Sequence, residues 1–257
     1  MSLVHQMSIA HGAPHGAQSL KFTAPTSISF KSIFKSFEVK LSYDTKNELQ
    51  YFTELGSAVE FVKKCYKYAE YGDTEEVTID SKIWPKEMME LKHIRYATSL
   101  EVTMYGTMYG GFMEYTNNGW NTKLKLNDCQ EVEQRVVLSR DFFGSRYFHY
   151  QSTVEINVMS HVSDEEFDNM HHMTAYVTTA EISDHALWCK IEELNENSLM
   201  YTRKICVTIP ESDPKTLNFE GIAPIREQNV VEGGVWFRVG KVYGFIGADR
   251  KSVFIQA

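Results

Sequence analysis

Three histidines and two aspartates lie within one segment of twelve residues, His161, Asp164, Asp168, His171 and His172. Imidazole and carboxylate groups are common ligands of zinc and iron, so this segment is a candidate metal site. Its spacing matches neither the HExxH motif nor a facial triad, and its Asp-Glu-Glu run is typical of an acidic loop. We therefore predict no metal site and interpret the segment as a solvated loop.

The four cysteines, Cys65, Cys129, Cys189 and Cys206, are candidate nucleophiles. They are far apart and form no CxxC pair, which predicts free thiols in a reducing compartment. Apolar neighbours place Cys65 and Cys189 in the core, whereas Cys129 lies in a polar Asn-Asp-Cys-Gln segment that predicts exposure. There is also no GxSxG motif for a serine hydrolase. We expect no catalytic residue and no enzyme.

Two short motifs resemble nucleotide-binding signatures without their partners. The sequence Asp141 to Gly144 reads DFFG, but neither an HRD motif nor a glycine-rich loop accompanies it. Gly106, Gly110 and Gly111 are not followed by Lys-Ser/Thr, so they are not a phosphate loop. These glycines predict a turn or a close strand contact.

The composition excludes several classes of protein. The chain has 257 residues, 43% of them hydrophobic and 23% charged, which excludes a wholly disordered or collagen-like chain. A net charge of −8 argues against a protein that grips a phosphate backbone, and we expect no direct nucleic-acid binding. The amino-terminal sequence lacks a signal-peptide pattern, and no run of 18 apolar residues predicts a membrane helix.

Period-two alternation of apolar and polar residues predicts strands along most of the chain. One helix is predicted from a capping box at Ser57 and Glu60 to a stop at Gly72, and a second from Asp184 to Leu194. A hairpin is predicted at Asn117 to Gly119, between strands 108–115 and 120–126. Further strands are predicted at 27–30, 37–43, 49–53, 75–84, 96–105, 132–138, 147–159, 173–182, 200–209, 235–239, 242–246 and 254–256.

This pattern predicts a mainly β (α+β) fold. We expect residues 26–257 to form a single β-sandwich-like domain with two short helices and no internal repeat. Residues 1–25 are interpreted as an amino-terminal arm, in which a possible short helix precedes a Gly/Pro/His hinge. The apolar residues of this helix, Leu3, Val4, Met7 and Ile9, are candidates for a self-assembly contact. The alternative is a frayed tail, which is the more common state of such a segment.

Several segments between Phe37 and Leu194 follow one another in a recognisable order. The hairpin FEVKLSYDTKNELQYF precedes the helix SAVEFVKKCYKYAEYG, the extended EEVTIDSKIWP and the strand RYATSLEVTMYG. GSRYFHYQSTVEINVMSH and the amphipathic ALWCKIEEL come later. In this layout the chain resembles the cypovirus polyhedrins, which crystallise in infected insect cells as occlusion bodies.

The resemblance implies a structural protein in the cytoplasm of the infected cell. Trimers of the chain would pack into a lattice that encloses virus particles and dissolves at alkaline pH. Family members hold nucleotides between subunits, but no residues of this chain are assigned to a nucleotide, and we expect no cofactor. The alternatives are another viral capsid or matrix β protein, or a cellular β-sandwich enzyme or ligand-binding protein. For any dense array, ionisation of the 14 tyrosines and 4 cysteines would add strong repulsion to the charge of −8.

Overall fold

A computed structural model describes residues 23–67, 69, 72–197, 202–217, 229–231 and 233–257. Within them, thirteen strands form one mixed sheet in the order β10-β11-β12-β13-β9-β8-β7-β6-β5-β4-β1-β2-β3. The strands are β1 (Ser27–Ile33), β2 (Ser36–Ser42), β3 (Asn47–Phe52), β4 (Glu76–Asp80), β5 (Ser99–Met104), β6 (Lys123–Asp128), β7 (Thr153–Met159), β8 (Thr174–Thr178), β9 (Lys204–Thr208), β10 (Asn229–Val231), β11 (Gly234–Val239), β12 (Val242–Gly247) and β13 (Ser252–Gln256).

Eight α-helices lie between these strands in the described part of the chain. They are α1 (Leu55–Lys67), α2 (Lys86–Met89), α3 (Lys92–Arg95), α4 (Tyr109–Thr116), α5 (Arg140–Phe143), α6 (Arg146–Tyr150), α7 (Asp164–Asp168) and α8 (Asp184–Glu196), with a 3₁₀ turn at Val132–Gln134. Six of them have eight residues or fewer, so tertiary packing and not intrinsic propensity must hold them.

The centre of the sheet consists of seven parallel strands, β1 and β4 to β9. Each strand of this series pairs with the one before it, so the chain adds strands in a single direction. Antiparallel strands extend both ends, with β2 and β3 beside β1, and β13, β12, β11 and β10 beside β9.

The helices cover one face of this sheet. Crossovers between parallel strands are right-handed, so a chain that winds in one direction places all its crossover helices on the same side. Burial agrees with this rule, because Val77, Leu100, Leu124, Val154 and Ile205 point to one face and are at most 1% exposed. The buried side chains of all eight helices join the same hydrophobic cluster. The other face carries the alternate residues of each strand, and none of these is buried in the central strands.

The parallel part is a repeat of one strand and one helical connection. The matched positions Glu76, Ser99, Lys123, Thr153 and Thr174 lie at the start of successive strands, and β9 begins at the next match. Successive units therefore span 21 to 30 residues. Stacked units of this length and composition define a strand–helix solenoid, the architecture that leucine-rich repeats also use.

A row of buried residues ties neighbouring units together. Two residues before each matched strand position stand Thr74, Ala97, Asn121, Gln151 and His172, all of them at most 3% exposed. Thr74 Oγ1 donates to the carbonyl of Pro25 at 3.0 Å, and Asn121 Nδ2 donates to the carbonyl of Ala97 at 2.7 Å. His172 Nε2 contacts the carbonyl of Phe148 at 3.0 Å. Thr74, Asn121 and His172 therefore bond to the preceding unit, whereas Gln151 Nε2 donates to the carbonyl of Tyr147 within its own connection.

A buried charge network fastens α8 to the start of β9. Lys190 is fully buried, and its Nζ donates to Glu193 at 2.6 Å and to the carbonyl of Asp168 at 2.6 Å. Arg203 donates to the same Glu193 carboxylate at 3.1 Å. Burial alone would raise the pKa of Glu193, but its hydrogen bonds to the two cations bring it below the ordinary value.

The structure corrects the predicted fold class. The chain does not form a β-sandwich-like domain with two short helices, because one open sheet carries eight helices on one side in the described residues. The predicted strand 108–115 is α4, so the hairpin at Asn117 to Gly119 is absent and that turn ends a helix. The predicted strand 147–159 begins with α6, and the predicted strand 132–138 begins with the 3₁₀ turn. In a short segment rich in aromatic residues, apolar and polar residues can alternate by chance as they do in a strand. Such a segment forms a helix here because its aromatic side chains pack onto the sheet.

Other predictions about elements are confirmed. The strands β1, β2 and β3 and the two long helices α1 and α8 lie where the sequence predicts them, although α1 begins at Leu55 and Ser57 is therefore not its cap. A capping box does occur at Ser163 and Glu166, at the start of α7. Residues 1–22, with Leu3, Val4, Met7 and Ile9, lie outside the described residues, so the arm stays a prediction.

We predict that Asn121→Ala lowers the free energy of unfolding by about 3 kcal/mol. Asn121 Oδ1 accepts hydrogen bonds from the buried hydroxyls of Tyr115 at 2.7 Å and Tyr147 at 3.0 Å, and each unpaired buried group costs about 1–3 kcal/mol. Urea unfolding of the variant measures this change. The double variant Tyr115→Phe/Tyr147→Phe removes the orphaned hydroxyls, and adding Asn121→Ala to it should cost clearly less. An equal cost in both backgrounds would contradict the network.

We also predict an acid-sensitive step at His172. Burial lowers the pKa of this imidazole to about 4, compared with 6.5 in the unfolded chain. Between these values the unfolded state binds the proton more readily, so stability is complete above pH 6.5 and falls as the pH drops towards 4. The full difference corresponds to about 3 kcal/mol. Urea unfolding of wild type and His172→Asn between pH 7 and pH 4 checks it. The stability of the variant should fall less steeply, and parallel curves would contradict the assignment.

Candidate functional site

The face of the sheet that the helices leave uncovered is the candidate site, and we call it the open face. The pairing register aligns its outward side chains in a row that crosses the strands. In order from β1 to β11 the row contains Ser29, Thr78, Glu101, Lys125, Glu155, Tyr176, Cys206, Phe254, Phe245 and Trp236. All of these residues are exposed or half-buried. The residues of this row are polar or charged up to β7 and mostly aromatic from β8 onward.

On β4 to β7 the open face carries charges that pair with each other, and we call this part the charged half. Lys125 Nζ lies 3.1 Å from a carboxylate oxygen of Glu101, and this contact raises the pKa of the lysine. Asn127 Nδ2 donates to the same Glu101 at 2.6 Å, and Asn157 Nδ2 donates to Asn127 at 3.1 Å. Cross-strand contacts therefore already pair Glu101, Lys125, Asn127 and Asn157 with one another.

On β8, β9, β13, β12 and β11 the open face is aromatic, and we call this part the aromatic half. Its rings belong to Tyr176, Phe254, Phe245, Trp236 and Tyr243. Trp236 is 46% exposed and Tyr243 is 51% exposed, while the rings of Trp236 and Phe245 lie 4.9 Å apart. Isolated apolar residues are normal on a surface, but five rings on four strands, separated only by Cys206 of β9, indicate a contact surface.

The aromatic half carries positive charge only. Among its outward strand residues, Lys204 and Arg238 are exposed cations, and no aspartate or glutamate stands beside them. The Arg238 guanidinium lies 4.9 Å from the centre of the Tyr243 ring. On a chain of net charge −8 this sign is unusual, and it favours a ligand surface of negative charge.

Gly244 on β12 leaves space for a buried aromatic ring on the helix side of the sheet, opposite the aromatic half. A Cβ atom at Gly244 would lie 2.0 Å from Cζ of Phe237, the facing residue on β11. The Phe237 ring therefore packs over the backbone of β12 on the helix side, while Trp236 and Phe245 point outward. Gly244 therefore leaves room for the buried Phe237 ring, while strand alternation places Trp236 and Phe245 on the open face, where a Cβ atom at Gly234 would lie 2.5 Å from Cζ of Phe245.

The residues that the sequence singles out do not come together. His161 pairs with Glu181, Asp164 accepts hydrogen bonds from Ser183, and His172 is buried against Phe148. His171 lies 3.9 Å from Glu193 on α8. Among the described residues, no group of three or more His, Cys, Asp or Glu side chains could hold a metal ion. The segment 164–168 is a helix and not the solvated loop of the sequence analysis.

The cysteines and glycines are placed as follows. Cys129 is buried, so its predicted exposure is wrong, while Cys206 lies on the open face. The predicted turn occurs at Gly106, but no close strand contact does at Gly110 and Gly111, because both lie in α4. An added Cβ atom at Gly111 would lie 2.7 Å from Cβ of Trp84, which belongs to no strand. The DFFG segment forms α5, with Phe142 and Phe143 in the core.

A small pocket lies on the helix side between Trp84, Arg95, Gly111 and Tyr115. Its volume is about 50 Å³, well below the roughly 300–1,000 Å³ of typical small-molecule sites. No helix within the described ranges is long and apolar enough to cross a membrane.

Comparisons with known proteins give no match, whether with family models, with curated proteins or with solved structures. The resemblance to polyhedrins and the occlusion-body role therefore stay predictions. Sequence reasoning did not find the open face, because strand alternation identifies two faces without indicating which one the helices cover.

Buried tyrosines give an expectation for alkaline pH. Burial raises the pKa of Tyr66 to about 12, and it also raises the pKa values of Tyr115 and Tyr147. Since unfolded tyrosine ionises near pH 10, stability is complete below that pH and falls as the pH rises towards 12. Urea unfolding at pH 9 and pH 11.5 should show a smaller alkaline loss in Tyr66→Phe than in wild type. The same loss in both proteins would contradict the assignment to Tyr66.

Proposed function

We propose that this chain is a protein-recognition module and not an enzyme. The observation that carries the proposal is the aromatic half of the open face. Five rings share this surface with two cations, Lys204 and Arg238, and its outward strand residues include no aspartate or glutamate. Tryptophan, tyrosine and arginine are the residue types most enriched among binding hot spots. A solenoid of strand–helix units offers such a surface on a rigid backbone.

The chemistry of the aromatic half selects one kind of partner. The rings offer apolar contact area at little conformational cost, and Lys204 and Arg238 favour carboxylates at its border. We therefore propose that the partner presents an acidic segment with aliphatic or aromatic side chains. The charged half, whose groups already pair with each other, contributes shape and exclusion of water.

The proposal is tested by selecting binders from a random peptide library displayed on phage, with the full chain as target. Selected peptides should be rich in aspartate, glutamate and large apolar residues. Their affinity should fall about ten-fold or more on Trp236→Ala, because removal of a hot-spot ring commonly costs at least 1.4 kcal/mol. The double charge reversal Lys204→Glu/Arg238→Glu should also weaken binding of the selected peptides. Replacing the acidic residues of a peptide by lysine should then strengthen its binding to this variant, whereas it weakens binding to wild type.

The matched control is Tyr51→Ala, which removes a ring that is 60% exposed, compared with 46% for Trp236, from β3 at the far end of the same face. It should leave the affinity of the selected peptides unchanged. Circular dichroism and urea unfolding establish that each variant is folded. Peptides that bind wild type and Trp236→Ala equally, or that show no acidic and apolar enrichment, would refute the proposal.

Self-assembly in viral occlusion bodies is a separate proposal, and its support is the layout resemblance described above. The polyhedrin interpretation expected a sandwich, and the open sheet removes that part of its basis. Expression in insect cells and inspection for intracellular crystals tests it directly. A chain that remains monomeric at high concentration, measured by light scattering, would count against any lattice-forming role.

A further inference from the structure

Three exposed aromatic residues stand side by side at the amino-terminal edge of the parallel sheet. Tyr96, Trp120 and Tyr150 each lie three residues before the matched first positions of β5, β6 and β7. Their exposed fractions are 53%, 39% and 51%. The solenoid repeat therefore places one ring per unit along this edge, and the cluster is distinct from the aromatic half of the open face.

The rings of this edge cluster contact each other and one cation. Tyr96 and Trp120 are stacked with centroids 6.3 Å apart, and Trp120 meets Tyr150 edge to face at 5.4 Å. The Arg146 guanidinium, from α6, lies 5.8 Å from the centre of the Trp120 ring. The perpendicular rings of Trp120 and Tyr150 form the two walls of an apolar corner.

The polar atoms of the edge cluster can all donate hydrogen bonds. Within the described residues, the Tyr96 hydroxyl, the Tyr150 hydroxyl and the Trp120 indole N–H make no hydrogen bond. The Arg146 guanidinium has no carboxylate partner in the same part of the chain. A complementary ligand therefore offers apolar rings or chains, carbonyl acceptors and a negative charge, and it needs few donors of its own.

We propose that the edge cluster binds a proline-rich peptide segment in the polyproline II conformation, with an acidic residue beside the prolines. Proline has a carbonyl acceptor and no N–H, so it can accept hydrogen bonds from the Trp120 indole, the Arg146 guanidinium and the tyrosine hydroxyls and needs no acceptor in return. Proline rings pack against exposed aromatic faces, here in the corner that Trp120 and Tyr150 form, and the polyproline II helix is already ordered before it binds. The acidic residue pairs with Arg146.

The spacing of the rings agrees with this ligand. Neighbouring strand backbones lie about 4.8 Å apart, so the backbones that carry Tyr96 and Tyr150, two strands apart, are separated by about 9.6 Å. A polyproline II helix repeats every three residues, which is about 9.3 Å at 3.1 Å per residue. Prolines three residues apart on one side of the helix are therefore spaced like Tyr96 and Tyr150, which lie on alternate units of the solenoid.

Single-stranded nucleic acid is the competing ligand, since bases also stack on aromatic rings beside arginine. Two observations disfavour it. The three rings are already in contact, so no base can enter between them, and the chain has a net charge of −8. The experiment includes this ligand as an outcome that would overturn the proposal.

The test measures binding of a fluorescein-labelled octaproline peptide that begins with glutamate, by fluorescence anisotropy, to the full chain. The same peptide with every proline replaced by alanine is the ligand control. We expect the proline peptide to bind at least about ten-fold more tightly. Trp120→Ala should abolish this preference, and Arg146→Gln should remove only the contribution of the glutamate, which a peptide beginning with glutamine measures.

Phe34→Ala is the protein control, because Phe34 is 95% exposed in the turn between β1 and β2 and lies outside the edge cluster. It should bind the proline peptide as wild type does. If Trp120→Ala proves unstable, Tyr150→Phe, which keeps the ring and removes only the hydroxyl, should weaken binding two- to five-fold, on the order of one hydrogen bond. Equal binding of proline and alanine peptides, equal loss in Phe34→Ala, or tighter binding of oligouridylate than of the proline peptide would overturn the proposal.

Discussion

The one-way order of the parallel strands is the constraint on which the rest of this structure depends. Since every strand from β4 to β9 pairs with its predecessor in the series, all crossovers lie on one side and the sheet gains one buried and one open face. A doubly wound sheet, in which the order reverses, would cover both faces and create a crevice for a small ligand. Here there is no reversal among the parallel strands, so the chain offers extended surfaces.

The same constraint explains why polar groups are buried in this core. Stacked units must be held in register along the direction in which the chain adds strands, and helix packing alone does not fix that register. Thr74, Asn121 and His172 bond to backbone carbonyls of the unit before them, and Asn121 also satisfies two tyrosine hydroxyls. This row of buried residues therefore stabilises the fold and also holds neighbouring units in register, which aligns the exposed side chains.

The sequence predicts a large part of this arrangement and misses its organisation. Alternation identifies the buried residues of most strands, and helical periodicity locates α1 and α8. The short helices are missed because segments such as Tyr109–Thr116 contain two glycines and aromatic residues and have little helical periodicity of their own. The repeat cannot be recognised in the sequence, because the buried position two residues before each strand is occupied by threonine, alanine, asparagine, glutamine and histidine in turn. These residue types have no common chemical property that a sequence pattern could detect.

The candidate sites are missed for a related reason. Metal and nucleophile motifs can be identified from spacing within a segment, whereas the rings of Tyr176, Phe254, Phe245 and Trp236 are far apart in the chain and meet only through strand pairing. Each residue alone is an ordinary strand aromatic. Their alignment depends on β13 returning beside β9, which places the carboxyl-terminal hairpin against the solenoid.

Hydroxyl-radical footprinting with mass spectrometry, on the chain alone and saturated with a selected acidic peptide, tests the central claim that the open face is the binding surface. The account predicts that Trp236, Phe245 and Phe254 are oxidised in the free protein and protected in the complex. Phe112 and Phe142, in the core beneath the helices, should be unreactive in both. Protection confined to the helix side, with the aromatic half equally oxidised in the free and bound protein, would contradict the account.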